Sequence, residues 1–111
     1  MTSVIFVASE ETAYARFGAE GHSGYAEEGS DIICAAVSST TELVVNILEQ
    51  FNVDLLCEVD EETASVNVII LENGANAAKK RDIKRVVDGF KGYIADLAEA
   101  FPDYVTISTE V

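Results

Sequence analysis

Two side chains in the first third of the chain have the chemistry of a nucleophile and its base. His22, the only histidine, lies in Gly21-His22-Ser23-Gly24-Tyr25-Ala26-Glu27-Glu28-Gly29, and Cys34 follows in the apolar string Ile32-Ile33-Cys34-Ala35-Ala36-Val37. Three glycines in nine residues read as a mobile loop. Ser30 or Asp31 can cap a helix that starts after it, which puts Cys34 in the first helical turn. Unpaired amides and the helix dipole favour negative charge there, so a thiolate is stabilised. A histidine that reaches the thiolate completes the minimum set for covalent acyl transfer. Free amides of the same turn can hold an oxyanion. Asp31 can cap the turn or orient His22, and Ser38 stands one turn beyond Cys34 on the same helical face. Plainer readings stand beside these. Cysteine in an apolar string is commonly a small buried hydrophobe, and a loop histidine is commonly solvated. For Asp31, capping outweighs catalysis. Spacing alone leaves the choice open.

The elements that must position this pair follow from periodicity. Val4-Ile5-Phe6-Val7 predicts a strand, Glu10-Glu11-Thr12 a turn, and Tyr14 to Ala19 a second strand of a hairpin. The first helix runs to about Gln50, with Ile33, Val37, Val44, Ile47, Leu48 and Phe51 at helical spacing. Leu55, Cys57 and Val59 alternate with Leu56, Glu58 and Asp60, which predicts a half-buried strand with Cys57 in the core. After the turn Asp60-Glu61-Glu62, Thr63 to Leu71 is the next strand, and 73–76 is a loop. A long helix then carries Ile83, Val86, Val87, Phe90, Ile94, Leu97 and Phe101 on one stripe, stopped by Pro102. Gly89 and Gly92 inside it each cost ~1 kcal/mol of helix propensity, which predicts close packing against a strand or a second subunit. Tyr104-Val105-Thr106-Ile107 makes a last strand. The order is ββαββαβ, an α+β fold with a mostly antiparallel sheet and two helices packed on it, in a single domain over 1–111.

Composition narrows the function classes. The chain has 111 residues with 20 acidic and 7 basic side chains, a net charge of −13, yet 49% are hydrophobic, which is a globular balance. Residues 1–72 carry 14 of the acidic residues and only Arg16 among the basic ones; residues 73–111 carry six of each sign. Nucleic-acid binding and an anionic membrane surface need clustered Lys and Arg, so neither is expected, whereas a basic partner is. The basic run from Lys79 to Lys91 reads as a solvated helix face. Met1-Thr2-Ser3 lacks a basic region and Val4 to Ala8 is too short for a signal peptide. No run approaches the ~18 apolar residues of a membrane span. The expectation is a cytoplasmic protein whose two cysteines are reduced thiols. No cofactor and no metal are expected. One histidine and two cysteines do not complete a structural zinc site without carboxylates, and neither Glu27-Glu28 nor the Asp60 turn has calcium-loop spacing.

The stretch from Gly21 to Glu27 followed by Gly29-Ser30-Asp31-Ile32-Ile33-Cys34-Ala35-Ala36-Val37-Ser38 closely resembles the signature of the ribosomal-processing cysteine proteases called Prp. The order and size of the remaining elements resemble that family too. The resemblance implies that Cys34 is the nucleophile and His22 its base, with Asp31, Ser38 and Gly21 supporting them. It implies an endopeptidase that removes the N-terminal extension of large-subunit ribosomal protein number twenty-seven, cutting beside a Phe-Phe pair, and that works as a homodimer. A competing reading of the same acidic chain is a non-enzymatic adaptor for a basic ribosomal or assembly protein. A redox role for Cys34 lacks a resolving partner, because there is no Cys-x-x-Cys pair.

Overall fold

The computed structural model describes residues 1–21, 31–73 and 75–111. Seven elements follow in the expected order: β1 (Thr2–Ser9), β2 (Ala13–Glu20), α1 (Ile32–Gln50), β3 (Leu55–Asp60), β4 (Ser65–Ile70), α2 (Ala77–Ala100) and β5 (Val105–Glu110). They form one five-stranded sheet of order β3-β4-β2-β1-β5. Every neighbouring pair is antiparallel except β1 with β5, which runs parallel. The crossover through α2 is what such a parallel pairing requires.

The core lies on the sheet face that carries Val4, Phe6, Phe17, Ala19, Val68 and Ile70, together with Ile33, Val37, Val44 and Leu48 of α1 and Ile83, Val87, Phe90 and Ile94 of α2. Phe6, Phe17 and Phe90 lock β1, β2 and α2 together, with Phe90 edge-on to the other two rings at 5.6 and 5.7 Å. Alternation along β2 is interrupted. The register slips between Val7 and Ala8, so Ala8 faces Tyr14, and that bulge turns the Tyr14 ring into the core beside Phe6. The hydroxyl of Tyr14 donates to Asp88 at 2.5 Å. Burial and the Asp88 carboxylate push the phenol up to about 12. Burial alone would raise Asp88, but hydrogen bonds from Lys84 and Tyr14 and the charges of Lys84 and Lys91 outweigh it and hold the carboxyl below its ordinary value. Gly18 is required by the neighbouring strand, since a Cβ there would stand 2.5 Å from the Val66 carbonyl oxygen.

Three expectations need correction. Cys57 shares a groove with Val59, as the alternation predicts, but it is exposed. β3 is the edge of the sheet, and Val59 beside it is 70% exposed, so facing the helix side does not bury a residue there. Among the described residues nothing lies within 4 Å of where a Cβ of Gly89 or Gly92 would stand, so no described strand explains them. Finally, α1 is by length and composition apolar enough to cross a membrane, with 19 residues and a mean hydropathy of 1.5. Ser, Thr and Asn interrupt its apolar run without adding charge. Its stripe of Ile33, Val37, Thr41, Val44 and Leu48 is buried, which is the role of a core helix.

Candidate active site

Asp31 starts α1 as its N-cap, with extended backbone, and Ser30 lies outside the described residues. One carboxylate oxygen of Asp31 accepts from the amides of both Ile33 and Cys34, at 3.0 Å each. The Asp31 carbonyl accepts the amide of Ala35 at 3.1 Å. Asp31 is buried at 5% exposure, so these bonds hold its carboxylate inside the first turn. The capping role is therefore observed, whereas the orienting role toward His22 falls on a residue outside the described ones. Asp31 is the cap, and the amides of Ile33 and Cys34 are engaged by it, not free for an oxyanion.

Cys34 is half-buried in that turn. It opens onto a cleft of about 360 Å³ whose polar lining includes Thr2, Ser38, Asp60 and Ser65. Ala19, Val37, Val59 and Val66 supply the apolar part of the wall. Ser38 meets Cys34 here as the one-turn spacing predicts. Gly21 lines the same cleft, and its backbone φ of 87° is one that glycine adopts freely. A Cβ at Gly21 would also stand 2.6 Å from the Met1 carbonyl oxygen, so no other residue fits without movement. The Gly21 amide donates to the Ala64 carbonyl at 3.1 Å, which ties the end of β2 to the β3–β4 turn. His22 follows Gly21 in sequence and lies outside the described residues, as do the rest of the loop to Ser30 and the Glu27-Glu28 pair.

One residue beside Cys34 lies outside the motif. Thr2, buried at 2% exposure, places its hydroxyl 3.7 Å from the Cys34 sulfur and donates to the Gly21 carbonyl at 3.2 Å. The signal for it was present in the strand periodicity. Thr2 falls on the face of Val4 and Phe6, so a hydroxyl stands where β1 otherwise buries hydrocarbon. The Asp60 turn lines the cleft beside Glu61, and the Asp60 carboxylate accepts the amide of Glu62 at 2.9 Å. Among the described residues no three His, Cys, Asp or Glu side chains converge as metal ligands would.

The arrangement can present a thiol to an extended chain lying in an open, partly apolar cleft. Comparison with known proteins points the same way. A family model described as cysteine protease Prp matches residues 1–106. A solved structure from Streptococcus mutans, SMU.848, is 28% identical over 99% of this chain and 94% of its own, with a TM-score of 0.79. The essential ribosomal processing protease Prp from S. aureus, in complex with a covalently linked product peptide, has a TM-score of 0.77 at 15% identity, covering 99% of this chain and all of its own. The same S. aureus protease with a substrate peptide has a TM-score of 0.73 at 14% identity and the same coverage, so both share the fold. No curated protein matches the chain.

Proposed function

This chain belongs to the cysteine protease Prp family, and from that premise we propose that it removes the N-terminal extension of large-subunit ribosomal protein number twenty-seven, with Cys34 as nucleophile and His22 as general base and acid. The observation that carries this reading is Cys34 in the first turn of α1, open to a cleft that Gly21, the residue before His22, also lines.

In the proposed reaction the Cys34 thiolate attacks the scissile carbonyl carbon, and His22, having taken the thiol proton, returns it to the leaving amine. The acyl group stays on sulfur as a thioester. Water then attacks with His22 as base, which frees the acid and restores the thiol. The apolar wall formed by Val37, Val59 and Val66 suits an aromatic or aliphatic substrate side chain, in keeping with cleavage beside a Phe-Phe pair. Asp31 supports the site by fixing the turn that carries Cys34, Gly21 by allowing β2 to end against Met1, and Ser38 by lining the cleft one turn on. Such a substrate is met in the cytoplasm.

The test is cleavage of a synthetic peptide that carries the Phe-Phe site, followed by mass analysis. Wild type under reducing conditions is expected to release two fragments, and Cys34→Ala none. Absence of cleavage by wild type across a range of pH overturns the proposal.

A further inference from the structure

Thr2 carries one hydroxyl hydrogen and has two neighbours that compete for it. The Gly21 carbonyl oxygen, 3.2 Å away, can only accept. The Cys34 sulfur, 3.7 Å away, accepts as a thiolate and donates as a thiol. While the hydrogen points at Gly21, the Thr2 oxygen faces the sulfur as an acceptor, a geometry suited to the neutral thiol.

We propose that Thr2 is a positioning residue for Cys34, whose hydroxyl hydrogen turns from the Gly21 carbonyl to the sulfur when the thiolate forms. The inference rests on the reading of Cys34 as nucleophile. The thiol proton leaves for the base, Thr2 keeps its own proton, and only a rotation about Cβ–Oγ1 is needed. The Asp31 carboxylate makes such a donor useful. It engages the amides of Ile33 and Cys34 and places a buried negative charge in the turn that must hold a second one. A hydroxyl donor to a charged sulfur is stronger than one between neutral groups. Thr2 is also well held. Its amide donates to the Tyr104 carbonyl at 2.8 Å, and its strand partner is Val105 of β5. The rotation also removes a bond from Gly21, so formation of the thiolate loosens the residue that precedes His22.

The test is alkylation of the full folded chain by iodoacetamide at pH 6 and at pH 9, with Cys34 quantified separately from Cys57 by mass. Thr2→Val is expected to slow Cys34 alkylation about tenfold at pH 6 and less than about twofold at pH 9, where base forces the thiolate in either protein. Thr2→Ser keeps the hydroxyl and is expected to restore the wild-type ratio. A Thr2 that merely packs would leave the ratio of the two rates unmoved, and that result overturns the proposal, as does a serine variant behaving like valine. If Thr2→Val fails to fold, as judged by circular dichroism, Thr2→Ala carries the same expectation. Alkylation does not depend on peptide cleavage. Loss of the pH 6 rate in Thr2→Val, where wild type cleaves no peptide, rejects the protease reading alone, and cleavage by wild type with an unmoved ratio in Thr2→Val rejects the role of Thr2 alone.

Discussion

At the residue scale the two thiols differ in their settings. Cys57 is the more exposed, yet the partial burial of its side chain along the β3 groove and the nearby Glu49 carboxylate raise its pKa. Cys34 is half-buried at the start of a helix, with a hydroxyl beside its sulfur. Iodoacetamide at pH 6 is therefore expected to modify Cys34 about tenfold faster than Cys57, measured by peptide mapping. The reverse order counts against a primed thiol at Cys34. The sequence marks Cys34 and Asp31 because a cap and a first-turn cysteine are local features. It does not mark the consequence of the cap. Whether Asp31 leaves the turn's amides free depends on a side-chain rotamer, which the residue type alone does not state.

At the element scale, periodicity reveals which side of a strand faces the helices but not how deeply the helices cover it. That is why the hairpin, both helices and the ββαββαβ order are legible, while Cys57 and Val59 are exposed on a face that alternation assigns to the core. The bulge that turns Tyr14 inward is equally invisible, because an extra residue changes the phase without changing the composition. Gly89 and Gly92 provide an element-scale test. Both sit inside α2 with open space around them, so within one chain each costs helix stability for no contact. Gly89→Ala and Gly92→Ala are each expected to stabilise the monomer by about 0.5–1 kcal/mol, read from urea denaturation. If the homodimer that the family resemblance implies uses this face of α2, the same substitutions weaken the dimer in sedimentation, and the two measurements move in opposite directions.

At the scale of the whole molecule the charge is divided between two regions. The excess of −13 belongs to residues 1–72, which contain the Cys34 cleft and the acidic residues Asp60 and Glu61 at its wall, while six of the seven basic residues lie on α2. Were the proposed substrate basic, such a field would draw it toward the cleft side. Raising salt from about 0.05 to 0.5 M is expected to slow cleavage of a full-length basic substrate severalfold and to leave a short neutral peptide nearly unaffected. Equal salt effects on the two substrates argue against steering. The sheet carries a different consequence. Thr2 hydrogen-bonds to Tyr104, and β1 is flanked by β5, a strand distant from it in sequence. The Thr2 wall of the cleft therefore depends on a pairing between two far-separated parts of the chain, so a change that undocks β5 is expected to disturb the cleft as well as the sheet edge.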